Sequence, residues 1–112
     1  GVNSDISVHS LEKGPDRPLE NETFRAEMIA GFEAVDAVVM FNEKTPHNLL
    51  SQIKPDVLVK GADYKPDDIV GAEFSERVER VKLLKGRSTT DLVLRIRSQN
   101  PHWKRIPDGA ND

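Results

Sequence analysis

The amino-acid sequence predicts an α/β fold in which helices flank a parallel β-sheet. Short, continuously apolar runs alternate with stretches of helical spacing, the pattern of strands that are joined by crossover helices. The 112 residues fit one domain, and a 37% share of hydrophobic residues is enough for a modest core. We therefore expect a single Rossmann-like domain.

Hydrophobic spacing and helix-start signals give the expected elements. Phe24, Met28 and Phe32 recur every four residues and predict an amphipathic helix. Thr45 and Pro46 have the residue types of an N-cap and a first helical position. The predicted helices cover residues 21–33, 45–53 and 88–97. The predicted strands cover residues 36–41, 56–60 and 80–84, the first of them buried on both faces.

The two ends of the chain differ from its centre. Residues 1–5 resemble the loop that leaves a strand, and a sheet of three strands would be thin. We therefore expect residues 1–97 to be the later part of one domain that lacks its first strands. Residues 98–112 form a polar, proline-containing tail, in which Trp103 would either anchor the tail or serve a partner surface.

Charge and composition exclude several classes of protein. The net charge is −3, but residues 75–105 carry 9 Lys or Arg against 3 Asp or Glu. One basic stretch in an acidic chain does not fit a general nucleic-acid binder; it fits a local site for a phosphorylated small molecule or, alternatively, a solvated helix face. The sequence has no cysteine, no signal-peptide pattern and no apolar window long enough to span a membrane, so we expect a cytoplasmic protein.

The strongest local motif is the segment from Gly86 to Asp91, placed between a predicted strand and a predicted helix. Ser88 and Asp91 have the spacing of a capping box, which by itself explains both residues. The functional interpretation is that N–H groups and hydroxyls at the helix N-terminus hold a phosphate, with Gly86 allowing a close approach and Arg87 adding charge. The residues alone leave both interpretations open.

Two further segments carry polar residues where ligands bind. Lys60 and Asp63 follow a predicted strand, at the carboxyl end where α/β sheets place their sites, although a surface turn is equally compatible with them. Lys13 and Arg17 lie on a loop stiffened by prolines, and Arg25 follows on the next helix. Such a loop can clamp a phosphate at little entropic cost, or it is simply a solvated connector.

The sequence gives no sign of a metal centre. His9, His47 and His102 are too far apart in the sequence to form a ligand motif, and we expect His47 to lie in the first turn of a helix. The chain contains no H-x-G-H motif, Walker loop or nucleophile elbow. We therefore assign no residue to metal binding.

Five segments, taken together and in order, resemble a known family. They are GVNSD at 1–5, KGPDRP at 13–18, RAE to EAVD at 25–36, KPDVLVKG with DY at 54–64, and STT at 88–90. This order resembles the cytidylyltransferase-like nucleotidyltransferases. Within that family the chain is most similar to the adenylyltransferase domain of the ADP-heptose synthases.

The resemblance implies a Rossmann-like enzyme domain that transfers AMP from ATP to a sugar phosphate, heptose 1-phosphate, and releases pyrophosphate on the way to lipopolysaccharide core sugar. It further implies Mg²⁺, a homodimer, and a heptose kinase that is fused or separate. By position, the implied catalytic residues are Lys13 and Arg25, and Arg17 would bind the substrate phosphate. The implied nucleotide-binding residues are Lys60, Gly61, Asp63, Gly86, Ser88, Thr89 and Thr90.

Two departures from the family pattern shape these expectations. Cytidylyltransferases of the family carry Arg-Thr-x-Gly before Ser-Thr-Thr, whereas this chain has residues 83–86 as Leu-Leu-Lys-Gly, which favours ATP over CTP. The family's H-x-G-H motif is missing from the 112 residues, so we expect this chain alone to be inactive. The alternatives are a glycerol- or ethanolamine-phosphate cytidylyltransferase and a non-catalytic nucleotide-binding or interaction module.

Overall fold

The computed structural model describes residues 1–61, 69–82 and 84–100. The strands within these ranges are β1 (Val2–Asn3), β2 (Met40–Phe41), β3 (Val57–Gly61) and β4 (Arg77–Val81). The α-helices there are α1 (Asp5–Ser10), α2 (Glu22–Ala30), α3 (His47–Ile53) and α4 (Thr89–Gln99), and one 3₁₀ turn spans Ala72–Phe74.

The strands pair in parallel, as the sequence predicts. β1 pairs with β2, Val2 opposite Met40, and β3 pairs with β4 over its whole length, from Val57 opposite Arg77 to Gly61 opposite Val81. Within the described residues these pairs form two separate two-stranded sheets. Val2 and Asn3 form β1, so the expectation that residues 1–5 are a loop is wrong at these two positions. Helices follow β1, β2 and β4, and the architecture is the α/β arrangement expected from the sequence.

Two strand boundaries differ from the prediction. The run at 36–41 contributes only Met40 and Phe41 to β2, and Phe41 is buried whereas Met40 is exposed. Burial on both faces is therefore wrong for β2, because its two side chains point to opposite faces and the one of Met40 is exposed. β4 begins three residues before the predicted run at 80–84, because the N–H groups of Glu76 and Arg77 both donate to the carbonyl oxygen of Asp56 and set its register.

Two helix boundaries also differ. α2 starts as predicted, with Asn21 as the N-cap that accepts from the N–H of Phe24 at 2.8 Å, but it ends at Ala30 rather than near residue 33. α3 begins at His47, which confirms the expected place of this residue in a first helical turn. The N-cap position of α3 is held by Pro46 and not by Thr45, and no side chain caps the helix.

The larger core cluster lies between α3, β3 and the 3₁₀ turn. Its buried members are Leu50, Leu58 and Ile69, against which Phe74 and Val78 pack. Gly71 lies against this cluster. Its backbone has φ +86°, and a Cβ atom there would overlap the side chain of Leu50. Glycine is thus required at this position for two independent reasons.

The start of the chain is joined to the loop after β2 through buried hydroxyls. Ser4 caps α1 by accepting from the N–H of Ser7, and the Ser7 hydroxyl donates to the carbonyl oxygen of Glu43. Asn3 donates to the same hydroxyl at 2.9 Å, so both buried serines are satisfied. Hydrogen bonds from its own backbone N–H and from the Asn48 side chain hold the pKa of Glu43 below its ordinary value.

Apolar side chains remain exposed on α2 and on the strands. The apolar residues that predicted an amphipathic helix are not buried: no residue of α2 is buried, Met28 is more than half exposed, and Phe32, beyond the end of α2, is exposed to a similar degree. Val59 of β3 and Val81 of β4 are exposed to a similar degree. None of the helices within the described ranges is long and apolar enough to cross a membrane.

Candidate functional site

The N-terminus of α4 has Ser88 as its N-cap and Asp91 as the partner of Ser88, the two residues that the sequence predicts there. The Ser88 hydroxyl accepts from the N–H of Asp91 at 3.0 Å and donates to the Asp91 carboxylate at 2.8 Å. Its hydrogen is thereby used within the protein, and Ser88 acts here as a cap. The hydroxyls of Thr89 and Thr90, one and two positions further on, lie on exposed residues of the first turn.

A tight turn leads the chain into this helix. The N–H of Arg87 donates to the carbonyl oxygen of Leu84 at 3.3 Å, and Gly86 lies at the third position of the turn with φ +77°. A positive φ at that position is typical of a type II turn and favours glycine. Nothing lies within 4 Å of a Cβ built on Gly86, so its conformation and not a close approach explains the residue in this structure.

The basic loop and the start of α4 are in contact. One guanidinium nitrogen of Arg17, Nη2, donates to the Thr90 hydroxyl at 3.3 Å, although the two residues are 73 positions apart. The loop itself is a turn in which the N–H of Arg17 donates to the carbonyl oxygen of Gly14 at 3.2 Å, with Pro15 at the second position, where proline is favoured. The structure thus joins one residue that the resemblance assigns to the substrate phosphate and one that it assigns to the nucleotide.

Arg25 has a different environment. Its guanidinium donates to the carbonyl oxygens of Asn3 at 2.6 Å and Glu20 at 3.0 Å, and to the Asp5 carboxylate at 2.7 Å. The Arg25 and Asp5 side chains are 23% and 31% exposed, so this ion pair is partly shielded from water. Within the described residues these bonds join α2 to the beginning of the chain, and none of them reaches Arg17 or α4.

The remaining predicted residues are dispersed in the structure. Lys60 and Gly61 are half-buried at the carboxyl end of β3, opposite residues 80 and 81 of β4. Lys13 is exposed just before the turn that presents Arg17. Asp63 lies outside the described residues.

A groove of about 410 Å³ lies between β1 and α2. Phe24, Met28 and Ile29 give it an apolar wall, and Arg25 and Glu20 give it charged groups. Of the predicted site residues that the structure describes, only Arg25 lines this groove. It is therefore separate from the contact between the basic loop and α4.

No three His, Asp or Glu side chains stand close enough to hold a metal ion in the part of the chain that the structure describes. The Nε2 of His47 lies 3.1 Å from a carboxylate oxygen of Glu73, which can accept its N–H, and the ring meets Phe74 edge-on with centroids 5.1 Å apart. This histidine thus has a packing partner and a polar partner.

Two residues at the contact between the loop and α4 were not identified by the sequence motifs. Arg97 of α4 donates to the Asp16 carboxylate at 3.3 Å, about two helical turns from Thr90, which accepts from Arg17. Each is an ordinary charged surface residue in the sequence, and no local pattern indicates that they meet.

Comparison with known proteins identifies the family. The profile of the cytidylyltransferase-like family matches residues 1–107. The chain belongs to this family. It is similar to proteins named bifunctional protein HldE. That of a Nitratiruptor species is 49% identical over 98 residues, which are 88% of this chain and 21% of that protein.

Two other relatives of the same name give a similar result. The Campylobacter concisus protein is 47% identical over 112 residues, 100% of this chain and 21% of the relative. The Acidiphilium cryptum protein is 52% identical over 102 residues, 88% of this chain and 21% of the relative. The chain thus spans about a fifth of the length of these relatives. Family and relatives both agree with the resemblance drawn from the sequence motifs.

Proposed function

We propose that this chain supplies the basic loop and the helix N-terminus of an adenylyltransferase. The reaction joins AMP from ATP to heptose 1-phosphate, giving ADP-heptose and pyrophosphate for lipopolysaccharide core sugar. Membership of the cytidylyltransferase-like family and 47–52% identity to HldE proteins support this proposal. The observation that carries it is the hydrogen bond between Arg17 and Thr90.

The chemistry of these two groups suits a shared anion. A threonine hydroxyl that accepts from arginine still has its own hydrogen to donate, and the arginine keeps four further N–H donors. The free N–H groups of the first turn of α4 add donors and the positive end of the helix dipole. A phosphate beside Arg17 and Thr90 would therefore receive hydrogen bonds from both sides, and charge-assisted bonds of this kind are strong.

In the proposed reaction, a phosphate oxygen of the sugar 1-phosphate attacks the α-phosphorus of ATP. The bond from that phosphorus to the oxygen bridging to the β-phosphate breaks, and pyrophosphate leaves. Thr89 and Thr90 hold the triphosphate, and Arg17, bonded to Thr90, contacts both this triphosphate and the attacking phosphate that it holds in line, so the chain contributes positioning and charge neutralisation. Lys60, Gly61, Asp63 and Gly86 remain proposed nucleotide-binding residues. Ser88 is proposed to contribute through its backbone at the helix N-terminus, because Asp91 engages its hydroxyl.

Lys13 and Arg25 are proposed to stabilise the charge that develops in the transition state. Lys13 is exposed and compact at its charged end, which suits a phosphate group. Arg25 has three donors engaged by protein oxygens, which leaves two of its five for a ligand. Arg25 would thus act from a position fixed by Asp5.

Mg²⁺ is proposed as part of the substrate, bound to ATP. Triphosphate oxygens are the hard ligands that this ion prefers, and when bound it neutralises charge on the leaving pyrophosphate. The described residues offer no cluster of three ligands that fits the ion, so no protein residue is assigned to it.

The whole protein is further proposed to be a cytoplasmic homodimer that works with a heptose kinase, fused or separate. These points rest on the resemblance, and the name bifunctional protein carried by the relatives supports a second activity in those proteins. Light scattering on the full-length gene product tests the dimer, and phosphorylation of a heptose phosphate by ATP tests the kinase.

The proposed reaction is tested by pyrophosphate release from the full-length gene product. ATP or CTP is combined with heptose 1-phosphate, glycerol 3-phosphate or ethanolamine phosphate, and products are identified by mass. Turnover with ATP and heptose 1-phosphate is the expected result. Turnover with CTP and one of the smaller phosphates would replace this proposal with the cytidylyltransferase alternative, and nucleotide binding without any turnover would favour the non-catalytic module.

A further inference from the structure

α4 meets the basic loop at two points rather than one. Arg17 bonds to Thr90, and Asp16, the preceding residue of the loop, pairs with Arg97. Thr90 and Arg97 are seven residues apart on α4, which is about two turns and roughly 10 Å along the helix, so they share one face. The turn of the loop thus lies along α4 and is joined to it by two neighbouring residues.

Two contacts fix the orientation of the loop in a way that one cannot. A single hydrogen bond between Arg17 and Thr90 would leave the loop free to rotate about it. The pair of Asp16 and Arg97 removes that freedom, because its partners lie further along the same helix face. A long arginine side chain binds a ligand more tightly when its backbone is already held in place.

We infer that Asp16 and Arg97 are positioning residues, whose ion pair holds the basic loop against α4 so that Arg17 lies beside Thr90 before a phosphate arrives. This inference rests on the proposed function of the Arg17–Thr90 site. Neither residue touches the ligand itself. Their pair acts through Arg17.

The size of the effect follows from the exposure of the pair. The side chains of Arg97 and Asp16 are 52% and 44% exposed, so water and salt screen their attraction. Pairs of this kind contribute little to global stability. A loss of ATP affinity of about two- to fivefold, with an unchanged melting temperature, is therefore the expected effect of breaking it.

The first test measures the dissociation constant of ATP, KM for ATP and kcat in the full-length gene product. Arg97→Gln, Asp16→Asn and the double variant are compared with Arg77→Gln, which breaks the similarly exposed pair with Glu79. Asp16 has at least one further interaction, so Asp16→Asn alone does not report on its pair with Arg97 only. The double-mutant cycle of the two residues isolates their coupling. Each single variant should weaken ATP binding about two- to fivefold at low salt, with kcat unchanged.

The double variant should be no weaker than the weaker single variant, Arg97→Lys should recover most of the affinity, and the Arg77→Gln control should match the wild type. The differences should shrink in about 0.5 M salt, because an exposed pair is screened there. If the wild type binds ATP and Arg97→Gln binds it with the same affinity, the inference is overturned and the proposed function stays intact.

A second measurement does not depend on any ligand. Hydrogen–deuterium exchange of a peptide covering residues 12–19 reports on the loop, where the Arg17 N–H donates to Gly14. Without nucleotide, exchange in this peptide should rise in Arg97→Gln and stay unchanged in Arg77→Gln. Equal exchange in all three proteins would overturn the positioning role, whether or not the wild type binds ATP. Failure of the wild type to bind ATP would count separately, against the proposed function.

Discussion

Replacing Thr90 by valine separates the phosphate site from the capping box at the start of α4. Valine keeps the branched shape and has a similar helix propensity, but it lacks the hydroxyl that accepts from Arg17 at 3.3 Å. Ser88 and Asp91 cap the helix without any contribution from Thr90. The helix should therefore remain formed, and the melting temperature should change by no more than about 2 °C, since exposed substitutions usually alter stability by less than about 0.5 kcal/mol.

The effect on nucleotide binding should be much larger. A hydrogen bond to a charged group contributes about 1.5–3 kcal/mol, and roughly every 1.4 kcal/mol is tenfold in affinity. Thr90→Val in the full-length gene product should thus weaken ATP binding or turnover by about ten- to a hundredfold, and Thr89→Val by a similar amount if its hydroxyl also reaches the triphosphate. Thr90→Ser retains the hydroxyl and should stay within about threefold of wild type.

The chain provides a closely matched control. Thr23 holds the second position of α2, as Thr90 does in α4, and each helix starts after a capping side chain. Isothermal titration with ATP and thermal melts followed by circular dichroism would be recorded for Thr90→Val, Thr90→Ser and Thr23→Val. Wild-type affinity in Thr90→Val, or an equal loss in Thr23→Val, would refute a phosphate site at this threonine.

Three further predictions follow from the structure and the sequence. Ser88→Ala should lower the free energy of unfolding, measured by denaturant melts, by about 0.5–2 kcal/mol, as Asn21→Ala should at the cap of α2. ATP affinity should stay nearly intact, and a stable Ser88→Ala variant with lost ATP affinity would contradict the role of Ser88 as a cap. Gly71→Ala should destabilise the protein by about 1–3 kcal/mol or more, because the added Cβ overlaps Leu50 and φ is positive there. Gly31→Ala, at φ −73°, should be tolerated, and equal melting curves for the two variants would contradict the packing argument. The purified 112-residue chain should release no pyrophosphate at a rate comparable to the full-length gene product, because its residues contain no H-x-G-H motif; comparable rates would contradict this expectation.

Local signals in the sequence predicted the starts of α2 and α4 well, but they did not predict α1 and they predicted the strands less well. Ser88 with Asp91, and Asn21 before Phe24, are short-range patterns whose hydrogen bonds form within four residues, and the structure has both caps. The register of β4 depends instead on hydrogen bonds to Asp56, about twenty residues earlier, which no local pattern encodes. β4 begins with the exposed polar residue Arg77 and also contains Glu79, so the apolar run alone gave a strand that began too late.

The candidate site has the same division between local and long-range information. Arg17 and Thr90 could each be selected from the sequence, one as a cation on a proline-containing loop and the other at a helix N-terminus. Their contact spans 73 positions and depends on how the loop lies on α4. Asp16 lies within the KGPDRP segment but received no role there, Arg97 belongs to no motif, and only the folded chain brings the two together.

Arg25 illustrates the limit of assigning a role by resemblance. The sequence places an arginine after the basic loop, but it gives no indication of the acceptors Asn3, Asp5 and Glu20. In the structure these acceptors engage three of its donors, and its role in transition-state stabilisation stays a prediction.

The most direct test of the account is a double-mutant cycle on Arg17 and Thr90, measured as ATP affinity in the full-length gene product. Arg17→Gln and Thr90→Val are made singly and together, with melting temperatures recorded for each protein. If the two side chains hold one phosphate while bonded to each other, each single variant should lose ATP affinity by about tenfold or more. The affinity loss of the double variant should be clearly smaller than the product of the two single losses, with a coupling free energy of at least about 0.5 kcal/mol. Losses that multiply fully, or single variants that bind ATP as the wild type does, would contradict a shared phosphate site at the junction of the basic loop and α4.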